Sequence, residues 1–188
     1  MSLSEPVGRK EVHARKVISK AYLRDDDLWD IEGHIVDTRP YAYPNDWRGM
    51  VQPGDPVHEM RVRITLDDEM TLRDAEAVTI KSPYAICGDA APDFAAIKGL
   101  RIGPGWLKDV RARIGGTHCC THIVELLGPM ATVAYQSIPV YRARQRAEAS
   151  GNGDGYGTFM KPPLDHCYAL STDREVVKRH WPEDYKGA

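Results

Sequence analysis

The densest chemistry in the chain lies in Gly115-Gly116-Thr117-His118-Cys119-Cys120-Thr121-His122. Read as the start of a helix, the segment puts His118 and His122 four apart on one face, with Glu125 three further along. That spacing can present two or three ligands to one metal. It is not the zinc-protease motif, because no Glu follows His118. Cys120 falls near the helix N-terminus, where backbone N–H groups favour negative charge. His118, Cys120 and His122 are thus a candidate zinc or iron site for a hydrolase or scaffold protein. Cys120 is also a candidate nucleophile, with either histidine as its base. Cys87, His58, His166 and Cys167 add ligand types, but no C-x-x-C pair is present. The competing reading makes Cys120 a small buried hydrophobe and His122 a hydrogen-bonded core residue.

A second set of chemical residues emerges from strand alternation, since every other residue of a strand shares a face. Trp29, Ile31, Gly33, Ile35 and Asp37 share one face. His58 shares a face with Met60, Val62, Ile64 and Leu66, and Met70, Leu72, Asp74, Glu76, Val78 and Ile80 share another. Asp37, His58, Asp74 and Glu76 are therefore expected to point inward. Buried charges pair, shift their pKa or bind something. Two other outcomes are open: a purely structural network, or a one-residue bulge that moves Asp74 and Glu76 to the solvent side. Arg101 lies in the turn Gly99-Leu100-Arg101-Ile102-Gly103, next to Trp106, where it could meet a carboxylate or phenolate. Tyr41, Tyr43 and Trp47 crowd one long loop, and an aromatic loop beside a polar-lined sheet would suit a planar aromatic ligand.

The elements that must position these groups follow from periodicity and breakers. Strands are expected over Glu11 to Leu23, Leu28 to Asp37, Val57 to Leu66 and Met70 to Ile80. A long loop, Arg39 to Pro56, separates the middle two, and the turn Asp67-Asp68-Glu69 makes the last two an antiparallel hairpin. Helices are expected over Asp89 to Lys98, Trp106 to Ile114 and His118 to about Gln136, with Pro129 kinking the third. Tyr141 to Ala149 is a polar helical stretch, Ser150 to Gly157 a glycine-rich loop, and Asp165-His166-Cys167-Tyr168 a short motif in the tail. Strands first and helices after them indicate an α+β fold: an antiparallel sheet of about four strands with helices packed on one face. Residues 1–10 read as a flexible tail and 11–185 as a single domain.

Composition narrows the classes. The chain has 188 residues, hydrophobic residues are 42% and charged residues 28%, which suits a globular domain. The formal net charge is −2, with no basic excess to mark a nucleic-acid partner. No apolar run reaches the roughly 18 residues of a membrane span. Four cysteines, two of them adjacent, point to a reducing cytoplasm and not to a disulfide scaffold. Gly99 to Gly105 has no preceding strand and Ser150 to Gly157 no Gly-Lys-Ser/Thr ending, so no nucleotide cofactor is expected. The expected partner is a small aromatic molecule, and a homo-oligomer is left open.

Several motifs occur in a fixed order: Tyr22-Leu23-Arg24-Asp25-Asp26-Asp27-Leu28-Trp29-Asp30-Ile31-Glu32-Gly33, Arg73-Asp74-Ala75-Glu76-Ala77, Gly99-Leu100-Arg101-Ile102-Gly103 and Gly116-Thr117-His118-Cys119-Cys120-Thr121-His122. Together they resemble the bacterial family of unknown function numbered 2889, over roughly residues 9–180. Cys119 stands where that family's pattern has glycine. A more distant similarity links the strands, glycine-rich turn, cysteine and helix to iron–sulfur scaffold and sulfur-acceptor proteins. The family resemblance implies a setting of bacteria that degrade lignin-derived aromatic compounds. One reaction of that setting needs only acid–base groups: loss of formaldehyde from a phenylcoumaran-type dimer to give a stilbene. Under that reading His58 or Glu76 is the base, Asp37 or Asp74 orients it, Arg101 meets the phenolate, and Tyr41, Tyr43, Trp47 and Trp106 hold the aromatic rings. No cofactor is then required.

Overall fold

The computed structural model describes residues 3–151 and 162–187. Most of the glycine-rich loop expected over 150–157 lies outside the described residues. The chain falls into two compact units, Met1–Ser137 and Ile138–Ala188.

The first unit is built on four strands: β1 (Ala14–Leu23), β2 (Trp29–Thr38), β5 (Pro56–Leu66) and β6 (Leu72–Lys81). They form one antiparallel sheet in the order β1-β2-β5-β6. Residues directly opposite one another share a face, so the register writes the core as rows. Leu23, Trp29, Leu66 and Leu72 make one row, and Ala21, Ile31, Ile64 and Ala75 the next. Ser19, Gly33, Val62 and Ala77 follow, then Val17, Ile35, Met60 and Thr79. The central members of these rows, from Ile31 to Met60, are buried.

The long loop after β2 folds back as a small hairpin, β3 (Tyr43–Asn45) with β4 (Gly49–Val51). The segment after β6 forms two 3-10 turns, Ala85–Ala90 and Pro92–Ile97, in place of the expected single helix. Phe94 and Ile97 of the second turn are fully buried. Helix α1 (Trp106–Ile114) and the start of α2 (Thr121–Ala149) supply Val110, Ile114, Ile123, Leu126, Leu127 and Met130 to the core. Gly33 is where α2 meets the sheet: a Cβ there would lie 2.6 Å from Met130 Sδ and 3.5 Å from Leu126 Cβ. Pro129 is accommodated without ending α2, and the helix begins at Thr121, after a separate turn over Gly116–His118. The architecture is α+β, with helices on one face of an antiparallel sheet.

The second unit contains the rest of α2 and α3 (Glu175–His180), with short turns at Tyr168–Leu170 and Pro182–Asp184. Val177 is buried, and Arg174 stacks over the Tyr168 ring at 4.3 Å. His166 and Cys167 are exposed, and His166 Nδ1 faces the Leu164 carbonyl at 2.8 Å. Among the described residues, no helix is long and apolar enough to cross a membrane.

Candidate functional site

Beyond the last apolar row the sheet carries a polar one. Arg15 on β1 pairs with Asp37 on β2, and Asp37 pairs with His58 on β5. All three face the helices. Asp37 is only 1% exposed, and Arg15 grips both its oxygens, with Nε–Oδ1 at 2.7 Å and Nη2–Oδ2 at 2.8 Å. His58 Nδ1 lies 3.1 Å from Asp37 Oδ2. The first turn of α2 brings His122 over the same carboxylate, with Nε2 3.5 Å from Oδ2. The His58 and His122 rings stack at 3.9 Å between centres. His13, just before β1, approaches Oδ1 at 3.6 Å. The far side of the Arg15 guanidinium bonds Glu125, one turn along α2.

The electrostatics of the cluster follow from this packing. Burial works to raise the Asp37 pKa, but the Arg15 hydrogen bonds and charge, with help from His122 and His58, hold it below the ordinary carboxylate range. Burial pushes His58 down, and the neighbouring His122 adds to this against the opposing pull of Asp37. Burial and the Arg15 charge likewise depress His122. The state at neutral pH is therefore one carboxylate, one guanidinium and two neutral imidazoles. Because Asp37 is anionic, it accepts a hydrogen bond from His58 Nδ1, which leaves the lone pair on Nε2. The His58 side chain is one-fifth exposed.

The structure thus merges two sets of residues that the sequence kept apart. Asp37 and His58 come from the strand-face set and His122 from the cysteine–histidine segment. Asp74 and Glu76 do not join them. Leu66 pairs with Leu72 and Thr65 with Asp74, so Arg73 is an extra residue. That bulge turns both carboxylates to the opposite face, where they are about 70% and 66% exposed, with Asp74 near Lys98 and Glu76 bonded to Arg63. Arg101 is also displaced. Its Nε donates to the Glu69 carbonyl at 2.8 Å, and Leu72 beside it stands in the row of Trp29 at the far end of the sheet. Eight residues of extended strand, about 26 Å, separate that row from Asp37. Trp106 is a core residue, 5% exposed, whose Nε1 donates to the Leu127 carbonyl. His118 is exposed in the turn before α2. The trio His118, Cys120 and His122 does not converge, whereas Cys120 Sγ and His122 Nδ1 lie 3.8 Å apart.

The aromatic loop stays at the site's end of the sheet. It follows β2 directly after Asp37 and Thr38, and Arg48 ties it to the carbonyls of Pro56 and Val57, just before His58. Tyr41 and Trp47 are exposed, and Arg39 stacks on the Tyr43 ring at 4.6 Å. Arg15 and His13 escaped the sequence reading, and Glu125 was read there as a metal ligand beside His118 and His122, not as a partner of Arg15. The available signal for Arg15 was its position four turns of alternation from Leu23, on the face that carries Ala21 and Ser19.

Among the described residues, only Asp37, His58 and His122 bring three ligand atoms within 4.8 Å of one another. The donor set fits a cation poorly. Both Asp37 oxygens are already held by a guanidinium, whose charge would repel an ion placed between them.

The protein family described as "Protein of unknown function (DUF2889)" matches residues 13–136, which include every member of the Asp37 cluster. The chain belongs to that family. No curated protein matches the chain. No solved structure matches it either.

Proposed function

We propose that this member of DUF2889 is a cofactor-independent carbon–carbon lyase that releases formaldehyde from a phenylcoumaran-type aromatic dimer and leaves a stilbene. The observation that carries the reading is the Arg15–Asp37–His58 row, a carboxylate held anionic behind an imidazole whose Nδ1 faces it and whose Nε2 has no hydrogen-bond partner among the described residues. That is the arrangement a general base requires.

The reaction needs no electron carrier. The phenol of the substrate gives up its proton to solvent, and the resulting phenolate drives opening of the cyclic ether, which gives a quinone methide and a new phenoxide. His58 Nε2 takes the proton of the side-chain hydroxyl as the carbon–carbon bond breaks. Formaldehyde leaves, and the bonding pair reduces the quinone methide to the stilbene phenolate, which takes a proton back from solvent. His58 then returns its proton to the phenoxide, so protons and electrons balance. Asp37 positions the ring and stabilises the imidazolium. Arg15 keeps Asp37 ionised, and the aromatic loop that follows β2 supplies the surface for the substrate rings.

The test is incubation of purified protein with phenolic phenylcoumaran dimers, with formaldehyde and stilbene measured together. One formaldehyde per stilbene is expected, with the rate reduced at least about 100-fold in His58→Gln. Absence of product across the panel, or an unaffected His58→Gln variant, would overturn the reading.

A further inference from the structure

We propose that Cys120, His122 and Asp37 form a nucleophilic unit that accepts an acyl group from an activated ester or thioester. The inference goes beyond the lyase reading and does not use His58.

The His122 ring stands between a thiol and a carboxylate, with one ring nitrogen toward each. Nδ1 is 3.8 Å from Cys120 Sγ, and Nε2 is 3.5 Å from Asp37 Oδ2. A buried anionic carboxylate takes the N–H of the nitrogen that faces it. The lone pair of His122 is thereby directed at the thiol, the order of groups that activates a cysteine. Both distances are longer than a tight hydrogen bond, as is common before substrate closes on a site.

Cys120 also sits at the mouth of α2. Its carbonyl accepts the Val124 N–H at 3.1 Å, which makes it the residue that opens the helix. The amides of Thr121, His122 and Ile123 precede the first intrahelical bond, so their N–H groups are free to meet a developing oxyanion. The adjacent Cys119 shows the contrast. It is buried, its thiol is directed to the Ala90 carbonyl, and burial pushes its pKa up. Two neighbouring thiols are thus placed in opposite settings, and only Cys120 has an imidazole and access to solvent.

The chemistry balances without a co-reactant other than water. The Cys120 S–H proton passes to His122 Nδ1 as Sγ adds to the carbonyl carbon, and the π pair moves to the carbonyl oxygen. Collapse of the adduct restores the carbonyl and breaks the bond to the leaving group, which takes the proton from His122. Water then adds to the thioester, with His122 again as base. The carboxylic acid leaves and the thiol is regenerated.

The full chain is mixed with 4-nitrophenyl acetate. A burst of one nitrophenolate per chain is expected, with the acetyl group mapped to Cys120 by peptide mass spectrometry. Cys120→Ala removes the burst, His122→Gln slows it at least about tenfold, and Cys167→Ser leaves it unchanged. A second measurement needs no variant: alkylation of the wild-type chain by iodoacetamide, followed at each cysteine. Cys120 is expected to react at least about tenfold faster than Cys167, although Cys167 is the more exposed. An acetyl group spread over the exposed thiols, or Cys120 alkylated no faster than Cys167, overturns the proposal.

Discussion

Asp37 is the residue on which the cluster turns. It is buried, it is charged, and His13, Arg15, His58 and His122 all face it. Asp37→Asn keeps the shape and removes the charge, so it separates positioning from packing. The expected loss in lyase kcat/KM is about 100- to 10,000-fold. Because the Asp37 charge raises the His58 pKa, the acid limb of the rate profile should also move to lower pH in the residual activity. A profile that stays in place would assign Asp37 a structural role alone. The same groups set the response of stability to acid. His58 and His122 titrate below the ordinary imidazole value in the folded chain, so the unfolded chain binds more protons as pH falls from about 7 toward 5. Stability is lost in that window, at about 1.4 kcal/mol per pH unit for each extra proton bound on unfolding. Asp37, depressed below its unfolded value, adds a further loss under more acidic conditions, as pH falls below about 4. Denaturant melts at pH 7, 6, 5 and 3 check both limbs, and a flat response between pH 7 and 5 would contradict the assignment of neutral imidazoles.

At the scale of elements, alternation and breakers were enough to read the four main strands, their antiparallel sheet and the inward direction of Asp37 and His58, but not the order of the strands. They failed at β6, because one extra residue, Arg73, changes which face every later side chain occupies, and Leu72 reads as apolar in either phase. They also failed to join His122 to Asp37. That meeting depends on where α2 crosses the sheet, which is a matter of packing between distant segments. Gly33 sets the crossing, and the prediction belongs there. Gly33→Val places branched carbons against Leu126 Cβ and Met130 and should cost about 1–3 kcal/mol. Because α2 carries His122 and Glu125, the variant should also lose activity beyond its loss of folded protein. Gly33→Ala displaces only the flexible end of Met130 and should be milder. Arg101→Ala is the complementary case. It removes a bond to the Glu69 carbonyl at the remote end of the sheet, so it should lower the melting temperature slightly and leave lyase kcat/KM within about twofold. A large catalytic effect of Arg101→Ala would return it to the site.

For the whole molecule, the family match ends at residue 136 and the first compact unit at Ser137. Every residue of the proposed site lies within that span. A chain ended after Ser137 should therefore fold by itself, with a single cooperative thermal transition in circular dichroism and retained lyase activity. A shortened chain that is unfolded would show that residues beyond 137 complete the core. Outside this unit the sequence was less informative. The Asp165-His166-Cys167-Tyr168 motif looked like ligand chemistry, yet its histidine faces a local carbonyl and its cysteine faces solvent.

The bond between Arg15 and Glu125 joins residues 110 apart in the chain, while Arg15 and Asp37 are 22 apart and Asp37 and His58 are 21 apart. The three strand residues can meet as soon as a three-stranded meander forms, but the helix residues must close the longest loop in the unit. Chemistry that uses Cys120 and His122 is therefore a late event in the life of each new chain. During refolding, strand signal should precede acyl transfer, and no partly folded chain should give the nitrophenolate burst. Activity then reports on completion of the whole fold, in a way that no spectroscopic probe of the sheet alone can.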